Sequence, residues 1–281
     1  MWLPNVAENV LVQLAASINN IRVVTVKDAD GMAKLEALQC KGLITSLENH
    51  LGSGKAAPSS AIIPPIVTGT ENVTGDFLRF AELLTMGDVP AAPPQDSVVD
   101  ATDQQMYFYN SAKGVSQTEL IDAGDAAAVE LALTPADRVC LPITLNHSFG
   151  FGSGGLAAFR SGAALVLPSA APSAKETLAA IKGADNTPGC SVLYADTHTL
   201  NALLELQELT TTDDVVPDSF RGGMRKPLAA EAALRACSCP NVPDRTRRCA
   251  GLVKIGSGDG LGLADAREWA GRPMVTVGKP K

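Results

Sequence analysis

What most constrains the fold of this chain is an alternation: short β-branched or apolar runs, each followed by a stretch of helical periodicity. The clearest run is Ile21-Arg22-Val23-Val24-Thr25-Val26. Its β-branched side chains suit a pleated, buried strand. Apolar residues at helical spacing precede it, with Val10, Leu11, Leu14 and Ala15 on one face of a helix over 6–17. The same reading gives helices over 33–39, 77–84, 118–133, 155–160, 173–182 and 197–209. It gives strands over 42–45, 61–67, 105–109, 137–141, 163–167 and 190–194. Pro64-Pro65 should cut the 61–67 strand or place it at an edge. Ser173 followed by Glu176 predicts a capped helix start. Strand–helix–strand order at this spacing means an α/β fold, with mostly parallel sheets flanked by helices.

The pattern divides the chain into four stretches. A first α/β subdomain covers 1–85, and a Pro-rich linker with Pro90, Pro93 and Pro94 covers 86–104. A core α/β subdomain covers 105–210. The remainder, 211–281, is Gly- and Pro-rich, with a helix expected at 229–237 and a strand at 252–255.

Composition removes several classes of function. Hydrophobic residues make 46% of the chain, which excludes wholesale disorder. No apolar run approaches the length of a membrane-spanning helix. The net charge is −7 and the chain has no long block of Lys/Arg, so no nucleic-acid partner is expected. The six cysteines are irregularly spaced, which favours reduced thiols in an intracellular, reducing compartment. Cys237, Cys239 and Cys249 are the one set that resembles zinc ligands, but a fourth ligand is lacking and no metal is expected. The N-terminus has neither a basic n-region nor a long apolar stretch, so it does not read as a secretory signal.

The segment 137–167 reads DRVCLPITLNHSFGFGSGGLAAFRSGAALVL. Leu141-Pro142, His147, Phe149-Gly150, Gly154-Gly155, Gly162 and an apolar strand follow one another in the order of the AMP-forming acyl- and aryl-CoA synthetase, or adenylating, superfamily. The resemblance extends to Leu3-Pro4-Asn5, to 105–119 (QMYFYNSAKGVSQTE), to 219–228 (SFRGGMRKPL) and to Val277-Gly278-Lys279-Pro280. It implies the large N-terminal domain of that superfamily, without the small C-terminal domain.

The resemblance also says where chemistry should lie. The family's phosphate-binding loop corresponds to Tyr109-Asn110-Ser111-Ala112-Lys113-Gly114-Val115. A triphosphate needs backbone N–H groups, hydroxyls and a cation around its oxygens. Only Ser111, Lys113 and Gly114 remain here. The family's Thr-Glu element for ATP and Mg²⁺ corresponds to residues 255–260, where Asp259 alone carries a carboxylate. His147 corresponds to a His near the acyl or aryl pocket, but a lone His beside Phe149 and Phe151 reads first as a partly buried residue satisfied within the fold. The Gly-rich run 150–155 (GFGSGG) lacks the flanking strand and acidic residue of a dinucleotide fingerprint and reads as a close-packed helix start.

No catalytic residue, cofactor or metal is therefore expected. Ser111, Lys113, Gly114, His147 and Asp259 stand as vestigial site residues. The expectation is a catalytically inactive acyl-CoA-synthetase-like protein serving as an accessory subunit of a larger assembly. Its partners are other protein subunits, a small-molecule ligand is not expected, and the mitochondrion is the first location to test. Two alternatives stay open: a divergent AMP-forming acyl-CoA ligase, and a non-catalytic nucleotide- or acyl-CoA-binding module.

Overall fold

The computed structural model describes residues 1–53, 58–69, 75–86, 105–109, 111, 113–184, 187–208, 217–226, 268, 269 and 272–276. The expected linker after Met86, the 229–237 helix, the 252–255 strand, Asp259, Cys237, Cys239, Cys249 and the 277–280 motif lie outside the described residues. Two compact units are present. One comprises Met1–Asp122 and Leu145–Phe151, the other Ala123–Thr144 and Gly152–Lys281.

The first unit contains α1 (Ala7–Ile18), β1 (Val23–Val24), α2 (Met32–Ala37), β2 (Ile44–Ser46), α3 (Leu47–Ser53), β3 (Ile66–Thr68), β4 (Leu78–Arg79), α4 (Phe80–Thr85), β5 (Gln105–Tyr107) and β6 (Val115–Ser116). β2, β3 and β4 form a parallel sheet. β1 pairs parallel with β5, and β5 antiparallel with β6. Trp2, Val24, Val26, Met32, Leu35 and Leu43 form the core between these elements. Of the strand expected over 21–26, Val23 and Val24 pair with β5, the Thr25 N–H bonds the Tyr107 carbonyl and the Val26 N–H that of Met1, while Ile21 is largely exposed. The strand expected over 61–67 forms only at Ile66–Thr68, because Pro64 and Pro65 have no N–H to give to a ladder.

The helix α5 (Gln117–Glu130) carries the chain onward. The second unit contains β7 (Arg138–Cys140), α6 (Ala157–Ser161), β8 (Ala164–Val166), α7 (Ala174–Lys182), a β9–β10 hairpin (Gly183–Ala184, Thr187–Pro188), β11 (Val192–Asp196), α8 (Thr197–Glu208), β12 (Gly222–Lys226), β13 (Glu268–Trp269) and β14 (Arg272–Thr276). Its sheet has the order β13-β14-β12-β11-β7-β8. Only β13 is antiparallel to its neighbour. Cys140, Leu178, Ile181, Leu193, Ala195, Leu203 and Phe220 pack between this sheet and helices α7 and α8.

Two sequence expectations need correction. The helix expected over 155–160 starts earlier, as a π-helix over Phe149–Leu156 that continues into α6. The 219–228 segment, for which no strand was expected, contains a central parallel strand, β12. A Cβ at Gly223 would overlap the Leu193 carbonyl, so glycine lets β12 lie against β11.

Helix ends follow local rules. Ser116 and Glu119 form a full capping box at the start of α5: the Ser116 N–H donates to Glu119 Oε2 at 2.7 Å, and the Glu119 N–H to Ser116 Oγ at 3.1 Å. At α7 the Ser173 Oγ accepts the Glu176 N–H at 3.3 Å. α5 ends in a Schellman turn, with the Leu133 N–H on the Ala128 carbonyl and the Ala132 N–H on that of Val129. Ala132 sits in this turn at φ 46°, the left-handed region that glycine would occupy without strain.

Candidate functional site

In the first unit, β5 runs out at Tyr107 into the turn that carries Ser111, Lys113 and Gly114. The Ser111 N–H donates to the Phe108 carbonyl at 3.0 Å and closes that turn. From α2, the Lys34 ammonium donates to the Phe108 carbonyl at 2.5 Å and to the Ser111 carbonyl at 2.8 Å. The Ser111 hydroxyl donates to the Lys113 carbonyl at 2.6 Å. Partial burial holds the Lys34 pKa below the ordinary lysine range. Lys113 is exposed and Gly114 half-buried.

The polarity of this turn is opposite to that of a phosphate cradle. A cradle converges N–H groups on an anion. Here two carbonyl oxygens converge on a cation, and the one hydroxyl is turned back onto the main chain. The Glu119 carboxylate, held below its usual pKa range by the Ser116 N–H and hydroxyl, places a negative charge just beyond. These groups stabilise a closed turn and offer an incoming phosphate little.

His147 lies in the 145–151 segment of the same unit and is buried. Its Nδ1 accepts the Phe149 N–H at 2.9 Å, which puts the proton of the neutral ring on Nε2. Its carbonyl accepts the Phe151 N–H at 3.0 Å. The Tyr109 ring meets it edge to face at 6.0 Å, and the Tyr109 N–H donates to Thr25 Oγ1 at 3.0 Å. His147 thus caps the start of the π-helix.

Next to it is a buried amide network. Asn146 donates to the carbonyls of Leu3 (2.8 Å) and Val26 (3.3 Å), and its side-chain oxygen accepts from Asn9 at 3.1 Å. Asn9 accepts from Gln13 at 2.7 Å, and Asn5 accepts the Leu145 N–H at 2.8 Å. Each buried amide finds partners on the main chain or on another amide, which fixes the loop that carries His147. The sequence did hold a signal for this network: Asn9 and Gln13 are polar residues one helical turn apart on a face that also carries Val10.

In the second unit, β7 and β11 are neighbours whose chains leave in opposite directions, to β8 and to β12. Such a switch point, at the carboxyl ends of the strands, is where open α/β sheets bind ligands. Here the described groups at the strand ends bond or pack against one another. Asp196 Oδ1 accepts the Thr199 N–H and hydroxyl, both at 2.8 Å, so the α8 N-terminus is occupied by its own carboxylate. The Gly154 backbone lies so close that a Cβ there would stand 2.7 Å from Leu141 Cδ1 and 3.4 Å from Tyr194 Cδ1. Tyr194 is fully buried, and burial pushes its hydroxyl pKa up.

At the opposite, amino end of that sheet lies an ion pair with a buried carboxylate. Arg221 donates to both oxygens of Asp137, at 2.9 and 2.8 Å, and to the carbonyls of Leu131 and Ala132 at 2.6 and 3.3 Å. The Ser191 hydroxyl and the Thr134 N–H and hydroxyl complete the carboxylate's shell, at 2.7, 2.8 and 3.1 Å. Those hydrogen bonds outweigh burial and hold the Asp137 pKa down at about 2. This cluster joins β7, β11 and β12 at their starts and faces away from the switch point, so its role is structural.

The structure therefore brings Ser111, Lys113 and Gly114 together in one turn and gives His147 a separate place in the same unit. No group of three or more His, Cys, Asp or Glu side chains suited to a metal occurs among the described residues. Cys140 and Cys190 are buried and reduced, and Cys40 is half-buried and reduced. No described helix is long and apolar enough to cross a membrane. Lys34 was not readable as a site residue, because its contacts lie 74 and 77 positions away.

No protein-family model and no curated protein sequence matches the chain. Solved structures do match in shape. A protein assigned as a long-chain-fatty-acid CoA ligase of Rhodopseudomonas palustris aligns with a TM-score of 0.63 at 18% identity, covering 85% of this chain and 59% of its own. A benzoate CoA ligase of Burkholderia xenovorans aligns at 0.61 and 19%, covering 80% and 44%. A long-chain-fatty-acid-CoA ligase of Archaeoglobus fulgidus aligns at 0.57 and 19%, covering 85% and 48%. The chain thus spans about half the length of these ligases. It has the α/β fold of the large N-terminal domain of the AMP-forming acyl- and aryl-CoA ligases.

Proposed function

We propose that this chain is a catalytically inactive protein with an acyl-CoA-ligase fold, serving as a structural accessory subunit of a larger protein assembly. The mitochondrion is its proposed location, on the strength of the sequence resemblance. The observation that carries the reading is the turn around Ser111. The Phe108 and Ser111 carbonyls accept from the Lys34 ammonium, and the Ser111 hydroxyl is bonded to the Lys113 carbonyl. Adenylation requires groups that stabilise charge developing on the phosphates, and such groups are usually the largest contribution to catalysis. The Asp196 carboxylate at the α8 N-terminus supports the same reading, since it would repel a phosphate there.

The test is pyrophosphate release from ATP·Mg²⁺ by the purified full chain, with a panel of fatty and aryl carboxylic acids. No release above the buffer rate is expected. Release that disappears in Lys113→Ala would overturn the proposal in favour of a ligase. Tight nucleotide or acyl-CoA binding without release would overturn it in favour of a binding module.

A further inference from the structure

The connection from α5 to β7, residues 131–137, joins three features that the nucleotide reading does not use. The first is Thr134, exposed and followed by Pro135. The second is the clamp beside it. The Thr134 hydroxyl and Arg221 Nη2 bond the same oxygen of Asp137, at 3.1 and 2.8 Å, so the hydroxyl and the guanidinium are close neighbours. The Arg221 side chain is 39% exposed, so it has a solvent-facing side as well as its carboxylate. The third is Ala132, a non-glycine residue at φ 46°, whose left-handed backbone stores strain in this connection.

We propose that Thr134 is a phosphorylation site, and that phosphate there loosens the clamp that joins β7 to β12. A proline-directed protein kinase is the class of enzyme that reads an exposed Thr-Pro. The Thr134 oxygen attacks the γ-phosphorus of ATP, the bond from that phosphorus to the bridging oxygen breaks, ADP leaves, and the hydroxyl proton passes to solvent. The product carries close to two negative charges beside a carboxylate that is 6% exposed. Asp137 loses the Thr134 hydroxyl as a donor and must share Arg221 with the phosphate. Arg221 begins the segment that enters β12, so the change is felt where that strand joins the sheet. The inference is independent of whether the chain binds nucleotide at 108–114.

The test incubates the full chain with ATP·Mg²⁺ and a proline-directed kinase, maps the phosphate by mass spectrometry, and follows thermal unfolding. Modification at Thr134 is expected, with a midpoint about 3 °C or more below that of both the unmodified chain and Thr134→Val. Thr134→Val removes the hydroxyl without adding charge. In Asp137→Asn the drop on phosphorylation should shrink by at least half, because the repelled carboxylate is gone. Failure to modify Thr134, in a reaction that fully modifies a free peptide of residues 129–142, would overturn the proposal. So would a phosphorylated chain that melts with Thr134→Val.

Discussion

Replacing Asp137 by Asn tests how the second unit is held together. The carboxylate accepts from Arg221 twice, from Ser191 once and from Thr134 twice, and its pKa falls from 3.8 to about 2. Each pKa unit corresponds to about 1.4 kcal/mol, so ionised Asp137 stabilises the fold by about 2 kcal/mol. Asn keeps the shape and one acceptor but leaves the Arg221 guanidinium without its counter-charge. Arg221 is part-exposed and can be rehydrated, so the loss should stay near about 2 kcal/mol rather than the larger cost of a fully buried orphan. Urea unfolding at pH 6 should show a lower midpoint with an unchanged slope. The folded pKa is depressed, so this contribution is complete above the unfolded value near 4 and is lost as pH falls toward 2. The gap between wild type and Asp137→Asn should therefore be nearly constant from pH 6 to pH 5, fall to about half by pH 3 and close toward pH 2. A gap that is absent at pH 6, or that persists undiminished at pH 3, would refute this reasoning.

Three further outcomes are expected. Ala132→Gly relieves the left-handed strain at the end of α5 and should raise stability by about 0.5–1 kcal/mol in the same urea assay. Gly223→Ala puts a methyl group into the Leu193 carbonyl between two central strands. It should cost about 3 kcal/mol or leave the chain insoluble, as judged by soluble yield and urea midpoint. Lys34→Met removes both hydrogen bonds to the 108–111 turn. It should cost about 1–3 kcal/mol and speed amide exchange at Ser111, read by hydrogen-exchange mass spectrometry.

Much of the architecture was legible in the sequence because local pattern and final environment agree. The 137–141 and 190–194 runs become β7 and β11, whose Val139, Cys140, Val192 and Leu193 are fully buried. The reading failed where tertiary approach, not propensity, sets the element. β12 reads Gly-Gly-Met-Arg-Lys, with no β-branched residue, and is a strand because it is paired on both sides. The π-helix at Phe149–Leu156 was missed because its five-residue hydrogen-bond step follows no common apolar period. In the candidate site, the shortness of the 109–115 segment and its poverty in glycine were visible at once. That its carbonyls would face a lysine was not, since Lys34 reads only as one position of a short amphipathic helix. The Asp137–Arg221 clamp was equally hidden, because charged residues 84 positions apart carry no joint signal in one sequence.

Calorimetric titration of the purified chain with ATP and with AMP, in the presence of Mg²⁺, tests most directly whether the 108–114 turn can hold phosphate. The closed turn predicts no heat of binding up to about 1 mM nucleotide, equivalent to an affinity no stronger than about −4 kcal/mol. Micromolar binding that is lost in Lys113→Ala would contradict it.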